Sequence, residues 1–450
     1  QPRVSSQDLA NSADLSAVVA YSVESRTTTR FPGSNATGDT VASEQSDAPY
    51  EGLLPPGFVP ESVFPPDDRQ RITPTTSFPW RSIVKLLVTG SDGTHWGCSG
   101  AIIGSRATLD GFHVLTAGHC VYDYDGGTGW ASSVEVIPGL DEGYMPYYHA
   151  WATYLRSYSG WTDYGLTWHD WGLITLDRDL GAYTGYMGRK TAPASDAVYT
   201  GLLNTAGYPG DMCGGGWNAA CMYFDADYGR AVGPPLLNYN HWYYMDTAGG
   251  QSGSPVWVYY SSTGERYILT VHTYGDDGSG SNHGTRLDQD KYDRLNTWTT
   301  SDAHPTDRAD LIDDGQSYSG FGPTTVSAGD SFGSWSRMRN VGTASSGGFY
   351  VAYRASLDTV ITSTDYLIGE VFVSSISPFS TQDVSWSGPF PGSIPPGTYW
   401  VGWMIDSRGN VAEFEENNNV AYKSSYQLTV RPFDFSLSNS GGITVTQGGS

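Results

Sequence analysis

A serine set among glycines, in Asp246-Thr247-Ala248-Gly249-Gly250-Gln251-Ser252-Gly253-Ser254-Pro255, restricts this chain more than any other stretch. Glycine on both sides removes the Cβ obstruction. One tight turn can then aim the backbone amides of Gly250 and Ser252 at a single point, where an oxyanion would be stabilised. The string alone says little, because a chain with 56 glycines holds many such loops. Two upstream strings give it weight: Leu115-Thr116-Ala117-Gly118-His119-Cys120 and His169-Asp170-Trp171-Gly172-Leu173-Ile174-Thr175-Leu176. A serine hydroxyl is a poor nucleophile near neutral pH. It needs an imidazole to take its proton and a carboxylate to fix that imidazole's tautomer and stabilise its cation. His119, Asp170 and Ser252 supply the three groups in that chain order, so the fold must bring three distant segments together.

Two near copies compete for these roles. Asp163-Tyr164-Gly165-Leu166 imitates the Asp170 string, but only Asp170 leads into an alternating Leu-Ile-Thr-Leu strand. Ser254 also follows a glycine, which leaves it open as a second candidate nucleophile. Apart from His272, the remaining histidines, His169 included, are read as surface or structural residues.

The order His, Asp, Ser and the Thr-Ala-Gly-His-Cys string resemble chymotrypsin-like serine proteases. More narrowly, Gly-Gly-Gln-Ser-Gly-Ser-Pro-Val, the Gly207-Tyr208-Pro209-Gly210-Asp211 turn, and Val271-His272-Thr273 with Gly284-Thr285-Arg286 resemble bacterial glutamyl endopeptidases of the staphylococcal and Bacillus types. The resemblance covers about residues 63–300. It implies a two-barrel all-β protease acting on protein or peptide substrates, with no metal or other cofactor. His119 would be the general base, Asp170 its orienting carboxylate and Ser252 the nucleophile, with Gly250 and Ser252 as oxyanion donors.

Specificity divides the reading. Asp246 stands six residues before Ser252, where trypsin keeps the aspartate that binds Arg or Lys, so basic specificity is the main rival. Against it, the Bacillus glutamyl enzymes share the Met-Asp-Thr run, and their carboxylate-binding positions match Thr247 and His272. A hydroxyl and an imidazole can donate hydrogen bonds to a substrate carboxylate and offset its desolvation. Gln251 is neutral where trypsin-type enzymes keep the aspartate that captures their new amino terminus. Asp276-Asp277, close behind His272, would oppose an acidic substrate unless they face solvent. A third reading, from another class, is an adhesin with a vestigial protease domain.

Composition bounds the rest. Charged residues are only 16%, while glycine, tyrosine and tryptophan abound, which favours short strands and turns over long helices. The formal charge of -23, from 24 basic and 47 acidic residues, repels nucleic acid and anionic membranes. No apolar run is long enough to span a membrane. Cys98 and Cys120 frame the base and Cys213 with Cys221 closes a Gly-rich loop, so two local disulfides account for all four cysteines. Together with the resemblance, this predicts a secreted, extracellular protein.

Residues 1–62, rich in Ser, Thr, Asp and Ala and then in Pro, read as a largely disordered pro-segment and linker. Val63-Phe-Pro-Pro-Asp-Asp-Arg-Gln-Arg-Ile-Thr resembles the start of the mature staphylococcal enzyme, which places a cut near Glu61-Ser62-Val63. Short strand-like runs then continue to a helix over about Asp288–Thr299, where Tyr292, Leu295 and Trp298 share a face. Residues 301–308 read as a linker, and residues 309–430 resemble the bacterial CARDB family of immunoglobulin-like sandwiches, which implies a cell-surface or extracellular ligand. In it, Asp406, Asn410, Glu413, Glu415 and Glu416 are read as a solvated acidic loop in preference to a calcium site. Residues 431–450 read as a tail or the start of a further β domain.

Overall fold

The structure, a computed structural model, describes residues 15–32, 62–105, 110–233, 240–276, 278 and 280–432. The chain divides into two compact units, residues 1–306 and 307–450.

In the first unit, β1 (Val18–Ser22), β2 (Thr27–Phe31) and β3 (Gln70–Arg71) precede β4 (Ile83–Thr89), β5 (His95–Ile103) and β6 (His113–Thr116). After the small hairpin β7 (Tyr122–Asp123) and β8 (Gly129–Trp130) come β9 (Ser133–Pro138), β10 (Ala150–Tyr158) and β11 (Gly172–Leu176). The order β11-β6-β5-β4-β9-β10 closes on itself through β10–β11, giving a six-strand barrel. Closure removes unpaired edges, and the inward residues fill the interior. Val84, Leu86, Val114, Val136 and Ile174 are fully buried on one face of the sheet, each contributing roughly 1.5–3 kcal/mol of hydrophobic burial.

The second barrel follows β12 (Gly188–Arg189). It is built from β13 (Leu202–Gly207), β14 (Tyr223–Val232), β15 (Asn240–Tyr243), β16 (Pro255–Tyr260), β17 (Glu265–Tyr274) and β18 (Asn282–Arg286). It too closes, in the order β17-β16-β13-β14-β15-β18, through β17–β18. Leu203, Tyr243, Met245, Val256 and Leu269 form its core. A helix over Gln289–Ser301 ends the unit, with the Asp288 side chain accepting the Lys291 N–H at 2.9 Å as its N-cap. Leu295 and Trp298 are buried, and Trp298 stacks on Trp171 at 6.2 Å, beside Asp170. Of the expected aromatic face, Tyr292 is only half-buried.

One expectation is corrected. Part of the segment read as disordered, residues 18–31, forms the hairpin β1–β2, and β1 pairs antiparallel with β10 from Val18↔Tyr158 to Ser22↔Tyr154. The run Ala17–Ala20 is too short to show a period, and its order comes from an edge that β10 lends it. Residues 33–61, Glu61 among them, lie outside the described residues, as do residues 433–450.

The second unit is a sandwich of two sheets. One holds Leu311–Asp313, Ser331–Asn340, Gly320–Gly322 and Thr381–Pro389; the other is built around Phe349–Ser356, Tyr366–Val373 and Gly397–Met404. Phe332, Val351, Tyr353, Val401 and Trp403 pack between them.

Candidate active site

His119 lies in a single 3-10 turn, Gly118–Cys120, directly after β6, and Asp170 lies two residues before β11. Strands β6 and β11 are barrel neighbours, registered Thr116↔Gly172 and Leu115↔Leu173. The sheet therefore delivers both residues to the same barrel end. The His119 Nδ1 lies 2.7 Å from Asp170 Oδ2, and the His119 backbone N–H donates to Asp170 Oδ1 at 2.9 Å. Asp170 has no solvent exposure, while the imidazole is partly exposed. A carboxylate held this way fixes Nδ1 as the protonated nitrogen and leaves Nε2 to accept a proton. The rival Asp163 is instead paired with Arg30.

Ser252 belongs to the turn before β16, and the first barrel clamps that turn. The Ser99 N–H of β5 donates to the Ser252 carbonyl at 2.8 Å, and the Ser99 hydroxyl donates to the Gly250 carbonyl at 2.8 Å while accepting the Tyr208 N–H at 2.9 Å. The Ser252 carbonyl also lies 3.6 Å from Cys120 Sγ. Cys120 is disulfide-bonded to Cys98, and Cys213 to Cys221. His119 and Ser252 are thus joined through the backbone on either side of one disulfide.

The turn depends on its glycines at two places. Gly250 has φ +99°, and Gly253 has φ +88° with a Cβ position only 2.1 Å from both the Ser99 carbonyl and Thr116 Oγ1. No side chain fits at Gly253. Within the turn, Gln251 N–H donates to the Ala248 carbonyl at 2.9 Å, and Gln251 Oε1 accepts the Ala248 N–H at 3.0 Å. Gln251 therefore braces the turn from inside. Ser254 donates its N–H to the Gln251 carbonyl at 2.8 Å and leads into β16.

β17 runs alongside. Gly253 N–H donates to the His272 carbonyl at 2.8 Å, and His272 N–H to the Ser254 carbonyl at 2.9 Å. His272 is buried, with Nδ1 2.6 Å from the Tyr243 hydroxyl. Thr247 is fully buried, and its hydroxyl meets no partner among the described residues.

Asp246 does not face an empty pocket. It accepts the Phe64 N–H at 2.6 Å and the Asp68 N–H at 3.4 Å, and its own N–H donates to Asp225 Oδ2 at 2.6 Å. Burial raises its pKa. Ser62 is held in the same place: its N–H donates to Asn282 Oδ1 at 3.0 Å, its carbonyl accepts the Thr247 N–H at 3.2 Å and Asn282 Nδ2 at 2.6 Å, and its hydroxyl accepts the Asp276 N–H at 3.1 Å. Asp276 Oδ1 is occupied by the Gly278 and Gly280 amides of its own loop, at 2.8 and 2.7 Å. Asp277 lies outside the described residues.

Two residues escape sequence reasoning. Ser99 is one; its place beside Cys98 was the available signal. Tyr274 is the other. Its hydroxyl hydrogen-bonds Asp170, and burial first, then the Asp170 charge, pushes its pKa well above the phenol range, so it stays a neutral donor. Its ring lies 6.0 Å from that of His119. It follows His272 by two residues on β17, across a bulge where His272 pairs with Gly284 and Tyr274 with His283, so the strand's alternation does not carry from one to the other.

A glutamyl endopeptidase of Bacillus licheniformis is 34% identical over 278 residues, covering 60% of this chain and 78% of its own. A protein of Bacillus subtilis (strain 168) named extracellular metalloprotease is 34% identical over 277 residues, covering 58% of this chain and 82% of its own. Among solved structures, a Glu endopeptidase in complex with MPD aligns at 22% identity, over 52% of this chain and 97% of that one, with a TM-score of 0.42. Residues 309–423 match the CARDB family.

Proposed function

Because this chain belongs to the glutamyl endopeptidase family of chymotrypsin-like serine proteases, with a CARDB domain behind the protease, we propose that it is a secreted enzyme that cuts protein and peptide chains after glutamate through an acyl-enzyme on Ser252. The observation that carries this reading is the buried Asp170 carboxylate bound twice by His119, next to a serine turn that Ser99 clamps.

In the mechanism, His119 Nε2 takes the Ser252 hydroxyl proton as Oγ attacks the substrate carbonyl carbon. The carbonyl π bond opens to an oxyanion, which the Gly250 and Ser252 amides stabilise; donors fixed in place before the charge develops are worth about 10²–10³ in rate each. The imidazolium is held by the Asp170 carboxylate, which the Tyr274 hydroxyl also meets. Collapse of the intermediate breaks the C–N bond, and His119 gives its proton to the leaving amine. Water then attacks the ester with His119 again as base, releasing the acid and restoring Ser252.

For specificity, the buried Thr247 hydroxyl invites a ligand, since an unpartnered buried hydroxyl costs roughly 1–3 kcal/mol. The His272 imidazole, oriented by Tyr243, would be the second donor to the substrate carboxylate. The Asp276 charge is damped by its own loop amides, and Asp246 is occupied by residues 64–68, which disfavours basic specificity. Maturation between Glu61 and Ser62 would turn the Ser62 nitrogen, now on Asn282, into an ammonium beside Thr247. Two disulfides fit an oxidising, extracellular setting.

The name of the Bacillus subtilis relative raises a metal, and the donors nearest His119 do not fit one. Cys98 and Cys120 are disulfide-bonded and offer no thiolate, and His119 Nδ1 is engaged by Asp170. An adhesive role for the sandwich is compatible with proteolysis, and its ligand would be extracellular.

A fluorophosphonate probe tests the assignment: wild type should take up one label per chain and Ser252→Ala none, with turnover lost. Retained turnover by Ser252→Ala would sink it.

A further inference from the structure

We infer that residues 15–32 stay seated on the protease after the chain is cut near residue 61, as a strand pair of the working enzyme that holds the loop leading to Asp170; the inference rests on the maturation step proposed above. Strand β10 explains the seat. One of its edges is taken by β11 from Ala152 to Arg156, while β9 covers the other only at Ala150 and Trp151. β1 completes that second edge from Tyr154 to Tyr158, and Val23 N–H extends it to the Thr153 carbonyl at 3.0 Å. Without the hairpin the barrel would carry a bare strand edge in its working form, the kind of edge proteins cover.

The seat is apolar as well as hydrogen-bonded. Ala17, Val18, Val19 and Ala20 are at most 5% exposed, a burial they owe to the barrel, since β2 beyond them is exposed throughout. Tyr21 stacks on Trp130 at 5.7 Å, Arg30 pairs with Asp163, and the Pro32 carbonyl accepts from Arg294 at 3.4 Å on the closing helix. A cut near residue 61 severs the tether and removes none of these contacts.

Its reach toward the chemistry runs through residues 159–170. The Ala17 carbonyl accepts the Ser159 N–H at 2.8 Å, and the Leu15 carbonyl accepts the Gly160 N–H at 3.0 Å. The same loop folds back so that Leu166 N–H meets the Gly160 carbonyl at 2.9 Å and His169 N–H meets the Leu166 carbonyl at 2.8 Å. The His169 imidazole, one residue before Asp170, hydrogen-bonds the Leu15 backbone. Trp161 of this loop lies edge-on to the His119 ring at 6.3 Å. Leu15 and Ala17, just ahead of β1, thus hold both ends of the loop that delivers Asp170, and the segment acts as a positioning element that touches no substrate. The edge of β10 is a docking surface whose occupant is this chain's own pro-segment.

The test uses the full chain with a recognition sequence for an unrelated, non-glutamyl protease inserted within residues 40–50. After cutting, the amino-terminal fragment should co-elute at one copy per protease chain in size-exclusion chromatography with intact mass detection. Stripping it with mild denaturant, or weakening it by Val18→Asp with Ala20→Asp, should lower kcat roughly 10- to 100-fold at little-changed KM, the scale of a small misplacement of catalytic groups. A synthetic peptide spanning residues 15–32 should restore kcat, which a merely destabilised enzyme would not show. A fragment that elutes alone, or stripped enzyme with undiminished kcat, overturns the inference. Amino-terminal sequencing of the unmodified active enzyme reports the maturation step separately, because the inserted site cuts whether or not Glu61–Ser62 does.

Discussion

The Asp170 carboxylate binds His119 at two points, Nδ1 at 2.7 Å and the backbone N–H at 2.9 Å, from a position with no exposure to solvent. A single contact would orient the ring; the second ties it to the chain that carries it. Asp170→Asn keeps the shape and favours the wrong tautomer, so kcat should fall by about 10⁴-fold with the protein still folded. Tyr274→Phe should cost far less, roughly tenfold in kcat at constant KM, by removing one hydrogen bond to Asp170. Steady-state kinetics on one peptide with both variants checks the ranking.

Gly253 should tolerate no side chain. Its φ of +88° strains any L residue, and a methyl would meet the Ser99 carbonyl and Thr116 Oγ1 at 2.1 Å. Gly253→Ala should lose labelling by a fluorophosphonate and lower the melting temperature, at a cost of at least about 1–3 kcal/mol. Calorimetry and labelling of the same preparation read both effects.

How much of this was legible beforehand follows from what each feature depends on. The Ser252 turn and the Gly118-His119-Cys120 string are local: glycine positions and adjacent residues dictate them, so sequence alone exposes them. The strands of the barrels are legible for the same reason, as in Leu173-Ile174-Thr175-Leu176, a short run of strand-forming residues that is buried throughout. The hairpin at residues 18–31 was not, because Thr27-Thr28-Thr29-Arg30-Phe31 has no buried face and β1 gains its order only from β10. The Asp246 carboxylate was misleading for a related reason. Its partners, Phe64 and Asp68, are distant in sequence, so a position matching trypsin's specificity aspartate looked available when it was engaged. Ser99 and Tyr274 carry no motif of their own.

Specificity should rest on Thr247 and leave Asp246 aside. Thr247→Val removes a buried hydroxyl at constant shape and should lower kcat/KM for a Glu peptide by about 10- to 100-fold, while leaving a Gln peptide little affected. Asp246→Asn should keep the preference for Glu and instead loosen residues 64–68, seen as faster amide exchange there. Loss of Glu preference in Asp246→Asn would reverse these roles.

The sandwich should lose stability as pH rises. Glu413 is pushed up to about 8, first by burial and also by the nearby Asp310 and Glu416 charges, despite hydrogen bonds from Leu311 and Asn419. A carboxyl raised in the folded state binds more protons there than in the unfolded chain. Its contribution is therefore full below about pH 4.5 and is lost as pH climbs through about 8. Glu413→Gln should flatten that fall. Calorimetry of both proteins between pH 5 and 8 should show the wild-type sandwich transition moving down while the variant's stays nearly level.

Cleavage after glutamate is tested most directly by kcat/KM of the processed enzyme on matched peptides carrying Glu, Gln or Arg before the scissile bond. Glu should exceed Gln by at least about 100-fold, since Gln is Glu without the charge that Thr247 and His272 would bind. Equal rates on Glu and Gln, or a preference for Arg, would contradict it.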